Sequence, residues 1–155
     1  MVWKPDVTVA ALIERDGCFL VVEERIGRRI VINQPAGHVE DGETLEAAVR
    51  RETLEETAWH FTPQALLGLY LWRSPRGHST LRIAFVGSVE GFESERTLDP
   101  PVLRTHWLTR EQLAERRAKL RTPLVLRCVD DYLAGKRLPL SALVAMQTLP
   151  AGSIQ

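Results

Sequence analysis

Long apolar runs, long basic runs and clustered cysteines are all missing from this chain, and each absence removes a class of protein. No stretch is apolar for long enough to cross a membrane as a helix, and the N-terminus reaches charged Lys4 and Asp6 at once, without the apolar core of a secretory signal. Cys18 and Cys128 are far apart in sequence and belong to no Cys-x-x-Cys or His-Cys spacing. They read as reduced core thiols, so the expected compartment is cytoplasmic and no disulfide scaffold is expected. The formal net charge is zero, which argues against a hold on a nucleic-acid polymer. One local basic cluster, Arg116 to Arg121, reads as the solvated face of a helix rather than as a phosphate patch. Repeats and low-complexity segments are absent too. With 155 residues, 45% of them hydrophobic, the chain suffices for one packed domain, expected over 1–140 with a C-terminal tail at 141–155.

What is present reads as a mixed architecture. Asp6 to Glu14 and Phe19 to Arg25 are β-branched and apolar runs joined by Arg15-Asp16-Gly17, a hairpin signal. A short strand from Arg29 to Asn33 leads through Gln34-Pro35-Ala36-Gly37 to a long helix starting at Thr44, a favourable N-cap. Leu66 to Arg73 and Ser79 to Val89 form a second hairpin around Ser74-Pro75-Arg76-Gly77. A strand from Arg104 to Leu108 follows, then helices over Arg110 to Leu120 and Pro123 to Leu133, the latter with Thr122 as N-cap. Helices between runs of strands predict an α+β fold, an α/β/α sandwich around a mixed sheet.

The long helix carries the chemistry. At about 100° per residue, Leu45, Ala48 and Val49 define an apolar face whose next turns bring Glu52, Glu55 and Glu56 before Trp59 resumes it. Carboxylates gathered on such a face need a cation among them, or pKa values raised enough to neutralise them. Oxygen-only ligands favour Mg²⁺ or Mn²⁺ over zinc. Arg51, four residues before Glu55, is within reach to orient a carboxylate. Gly37 and Gly42 bracket a loop that turns sharply and lets backbone approach a ligand.

Gly37, Glu43, Arg51, Glu52, Glu55 and Glu56 fit the pattern G-x5-E-x7-R-E-U-x-E-E-x-G-U, with U apolar. On these residues the chain resembles the Nudix hydrolases. Two positions depart from the pattern: Thr53 is a weak form of the apolar residue, and Ala58 replaces the final Gly, which predicts a slightly longer helix. The segments around Phe19–Glu24, Asn33–His38, Leu81-Arg82, Leu120–Val125 and Tyr132–Leu140 resemble a bacterial phosphatase subgroup of that family. The resemblance implies a Mg²⁺-dependent phosphohydrolase acting on nucleoside tri- and diphosphates, hydroxymethylpyrimidine pyrophosphate and thiamine pyrophosphate, with release of orthophosphate. It implies Glu52 and Glu56 as metal ligands, Glu55 as a ligand or a water-positioning base, the Ala36 carbonyl as a further ligand, and Arg51 and Glu43 as residues that orient them. A nucleotide-pool enzyme releasing pyrophosphate is the alternative; a silent nucleotide sensor fits less well, since every box glutamate is retained.

Other candidates come from outside the box. Asp99 is a candidate acid from a distal loop, with an ordinary turn aspartate before Pro100 as the equal alternative. Arg82 lies among apolar neighbours and, facing inward, would need a substrate phosphate or a protein carboxylate. Arg25, near the end of the first hairpin, is another candidate for phosphate. Tyr70 and Trp72 share a sheet face at period-two spacing, where either stacks on a pyrimidine ring while at least one packs in the core. Glu23 and Glu24 read as edge-strand charges. The expected partner is a small phosphorylated substrate, and the expected state a monomer, with a dimer as the alternative.

Overall fold

The computed structural model describes residues 1–146, so residues 147–155 of the expected tail lie outside the described residues. β1 (Asp6–Arg15) and β2 (Cys18–Ile26) form the expected hairpin. Asp16 and Gly17 turn it with φ values of 52° and 78°, as a tight two-residue hairpin requires. The two strands pair only next to the turn, at Glu14 with Phe19 and Arg15 with Cys18. Beyond it they part. β1 runs parallel to β6 (Ser79–Glu90), while β2 lies between β3 (Arg29–Asn33) and β7 (Val102–Thr109). β5 (His60–Arg73) flanks β6, and the short β4 (Ala36–His38) pairs with the start of β1.

The mixed sheet and its two helical faces match the expected sandwich. α1 (Leu45–Thr57) packs on one face over a core containing Ala48, Val49, Phe61, Ile83 and Phe85. α2 (Arg110–Glu115) and α3 (Leu124–Leu133) cover the other over Leu12, Phe19, Ala84, Leu113 and Val125. Leu140 and Leu143, on either side of the boundary expected at residue 140, both pack against the first of these cores.

Several boundaries differ from the sequence reading for identifiable reasons. β5 begins six residues earlier than Leu66, because the strand stays paired with β6 through Pro63 and absorbs Gln64 and Leu67 as shifts in its register. The helix expected to reach Leu120 stops at Glu115. A single 3₁₀ turn, Arg117–Lys119, follows before Leu120 becomes extended and Arg121 N–H donates to Ile32 O at 2.9 Å. Pro123 has helical dihedrals, and the Thr122 hydroxyl accepts from Leu124 N–H at 3.2 Å, close to the expected cap. The predicted lengthening of α1 does not occur: Ala58 itself takes the left-handed conformation, φ 61° and ψ 14°, and its N–H donates to Leu54 O.

Candidate active site

α1 is started by Thr44, whose hydroxyl accepts from Ala47 N–H at 3.1 Å. Its buried face is Ala48, Val49, Thr53, Glu56 and Thr57, a correction to the expected stripe in which all three glutamates lie inward. Glu52 and Glu55 flank that face, while Thr53 satisfies its hydroxyl by donating to Val49 O at 2.8 Å. Arg51 holds the flanking carboxylates together. It donates to both oxygens of Glu43 at 3.1 and 2.7 Å, to Glu52 at 2.9 Å, to Glu55 at 3.2 Å and to His38 O at 3.0 Å. The same guanidinium holds the Glu43 carboxyl below the usual range. Gly37 completes the contact between loop and helix, because a Cβ there would overlap the Glu52 carboxylate.

Glu56 is 7% exposed and accepts one hydrogen bond, from Ala36 N–H at 3.0 Å. Burial, with the charges of Glu24 and Glu52 adding to it, pushes its carboxyl up to about 9. Burial raises Glu52 too, against the pull of Arg51. Among the described residues no three acids, imidazoles or thiols are gathered closely enough to cage a metal, since Glu52 and Glu55 reach for Arg51 instead. The donor set nevertheless fits a hard divalent cation: only oxygens, on mutually repelling carboxylates, one of them buried with a single hydrogen bond.

These residues open onto a cleft of about 510 Å³. Ala36, Glu52, Glu56, Trp72 and Arg82 line it together with Glu24, Asn33, Pro100, Pro101 and Arg121. Other candidates lie elsewhere. Tyr70 donates its hydroxyl to Asp131 at 2.8 Å and packs on the α3 side, so of the two aromatics only Trp72 reaches the cleft. Arg25 is exposed on β2, tied to the opposite loop through its N–H to Pro101 O at 3.1 Å. Asp99 has an exposed side chain, though its N–H donates to Glu55 O at 3.0 Å and so joins its loop to the end of α1. Arg82 faces inward, on neutral amides rather than a carboxylate, with Gln34 at 2.9 Å and Asn33 at 3.0 Å.

Two cleft residues were missed from the sequence, Glu24 and Arg121. Glu24 is 1% exposed and accepts from Arg121 at 2.7 Å. β2 is not an edge strand, and Glu24 stands in the same alternating register as Leu20 and Val22, an inward position that was the available signal. Glu23 meets His106 at 2.6 Å instead. Arg121 leaves the basic helical face because the helix ends before it.

A glutamate-lined loop and helix, clamped by one arginine, adjoin a polar cleft. The NUDIX domain model matches residues 3–128, and the chain belongs to the Nudix family, hydrolases of phosphoric anhydride bonds. It is 36% identical over 141 residues to Phosphatase NudJ of Escherichia coli K12, covering 91% of this chain and 92% of that protein, and equally similar to Phosphatase NudJ of Shigella flexneri. A solved NUDIX hydrolase from Nitrosomonas europaea superposes with a TM-score of 0.90 at 46% identity, covering 92% of this chain and 98% of the other. A MutT NUDIX hydrolase from Burkholderia pseudomallei, at 22% identity and TM-score 0.69 over 83% of this chain and 98% of that one, shares the fold. Nudix hydrolases act on small phosphorylated substrates and generally use divalent metals such as Mg²⁺. No helix among the described residues is long and apolar enough to cross a membrane.

Proposed function

We infer that the chain is a Mg²⁺-dependent phosphohydrolase removing orthophosphate from nucleoside tri- and diphosphates and from the pyrophosphates of hydroxymethylpyrimidine and thiamine. One observation carries this reading: a single cleft combines the box carboxylates Glu52 and Glu56 with the guanidinium groups of Arg82 and Arg121. Carboxylates that attract a cation beside arginines that attract an anion suit a metal-bound phosphate chain. Glu52, Glu56 and the Ala36 carbonyl would hold the ion, with Mn²⁺ as a substitute for Mg²⁺. When bound, such an ion neutralises phosphate oxygens and lowers the pKa of an attacking water. Glu55, which accepts from Arg51 at 3.2 Å, would serve as a further ligand or as the base that positions that water. Trp72, half-buried in the cleft, is the surface on which a pyrimidine or purine ring stacks. The protein works as a cytoplasmic monomer, without a nucleic-acid polymer or a membrane as partner.

The relatives named phosphatases support attack at the terminal phosphorus. With a nucleoside triphosphate, diphosphate and then monophosphate are expected, with orthophosphate detected at each step without added pyrophosphatase. In ¹⁸O-labelled water the label is expected in that orthophosphate. Early pyrophosphate would instead assign the chain to the nucleotide-sanitising reaction and remove the thiamine-related substrates.

A further inference from the structure

The two arginines of the cleft have charges that the protein answers only in part. Arg82 is 5% exposed, yet it donates to two neutral amide oxygens, and its buried Nε has no hydrogen-bond partner. The Cys128 thiol beside it is pushed up by burial and stays neutral. Burying a cation whose near carboxylate, Glu24, is already paired with Arg121 is costly, and an unpartnered buried polar atom calls for an explanation. Arg121 reaches the same cleft from the other wall. Its backbone bond to Ile32 O pins it next to Asn33 and Gln34, and Glu24 fixes one edge of its fork. Glu24 is almost fully enclosed, whereas the Arg121 side chain is 43% exposed, which leaves the rest of the fork open. Thr122 and Leu124 line the same wall, where the N-terminus of the ten-residue α3 adds the positive end of its dipole. Arg82 and Arg121 line one cleft and their charges oppose each other there, an opposition that Glu24 offsets in part and that an anion between them would relieve further.

We propose that Arg82, Arg121 and the N-terminus of α3 form a subsite for the terminal phosphoryl group, selecting phosphate chains with a free end over diphosphates esterified at both ends. The proposal rests on the phosphohydrolase reading above and names the feature that sets its register. A free terminal phosphate carries roughly −1.5 to −2 charges and presents three acceptor oxygens. A phosphate bridged or esterified on both sides offers two free oxygens and a single charge. Two guanidinium forks match the first better than the second. Glu24 is a positioning residue: it acts through Arg121, holding one edge of the fork so that the other faces the cleft.

The test compares ADP with its β-methyl ester, the same molecule with its free end capped, in the presence of Mg²⁺. The wild type is expected to prefer ADP by more than 30-fold in kcat/KM. Arg121→Lys and Arg82→Lys keep the charge and lose the fork. Each is expected to lose at least tenfold on ADP and less than threefold on the ester, and to bind a methylene-bridged ADP analogue at least tenfold more weakly in calorimetry. Equal losses on both substrates, or an unchanged preference, overturn the proposal. The double variant Glu24→Gln/Arg121→Gln removes both charges of the ion pair. Persistent loss of preference supports the subsite; recovery would mean that Arg121 merely neutralises Glu24, and overturns it. If Arg82→Lys does not fold, the half-exposed Arg121 decides alone. Failure of the underlying reading looks different, because the wild type would then release pyrophosphate rather than orthophosphate from ATP, or would hydrolyse neither ATP nor ADP. In that case the analogue titration decides: tenfold weakening in Arg121→Lys keeps the anion subsite, and an unchanged isotherm ends it.

Discussion

A Cβ at position 37 would occupy the space of the Glu52 carboxylate, so the loop glycine and the helix glutamate form one contact. Gly37→Ala must push either the loop or Glu52 aside. Misplacing a reacting constellation by about 1 Å can cost 10²-fold. Turnover in Gly37→Ala is therefore expected to fall at least 100-fold, and retention of more than a tenth of wild-type kcat would show that the contact is dispensable. The other residue-scale prediction concerns charge. Glu56 lies buried with Glu24 and Glu52 as like-charged neighbours, an arrangement that favours cation binding over metal-free stability. Glu56→Gln and Glu52→Gln are each expected to cut turnover by orders of magnitude, while the Tm in EDTA holds steady or rises. Arg51 keeps Glu43 and Glu55 as partners when Glu52 changes, so a Tm loss of several degrees would instead make these carboxylates structural.

At the scale of the element, α1 depends on its ends more than on an apolar face, since Thr53 and Thr57 occupy buried positions and bond back to the helix carbonyls. Thr44 caps the start, and Thr44→Ala is expected to cost about 1 kcal/mol, a Tm drop of ~3 °C measurable by calorimetry; no change would mean that water replaces the cap. The helix was legible in the sequence because cap, spacing and box agree, and the first hairpin because Asp16-Gly17 supplies the turn. What the sequence obscured depends on tertiary pairing. Ala58 takes a left-handed cap usually left to glycine, and the bridge between Leu120 and Ile32 ends a helical pattern that periodicity alone would extend. The box was readable since its residues lie on one helix and its adjoining loop. Glu24 and Arg82 come from separate strands and Arg121 from the connection before α3, and only the sheet order and the bond from Arg121 to Ile32 O bring them together.

For the whole molecule, the cleft exists because β1 and β2 pair only at one end and diverge at the other, leaving charged side chains from both halves of the sheet around a shared space. That arrangement ties stability to pH. The Glu56 carboxyl is raised from 4.5 to about 9, and Glu52 is raised as well. Between 4.5 and 9 the folded state thus holds more protons than the unfolded chain, so stability falls as pH rises through this window. In EDTA the urea midpoint is expected to decline from pH 6 to pH 9, by an amount worth on the order of a few kcal/mol. Glu56→Gln has nothing to titrate at that position and is expected to flatten most of the slope. Metal requires the deprotonated carboxylates, so its affinity grows with pH, and saturating Mg²⁺ stabilises the state that binds it. The decline should shrink when Mg²⁺ replaces EDTA, with the largest difference at pH 9. Parallel curves for wild type and Glu56→Gln, or a Mg²⁺ effect independent of pH, would separate the buried carboxylate from the metal site.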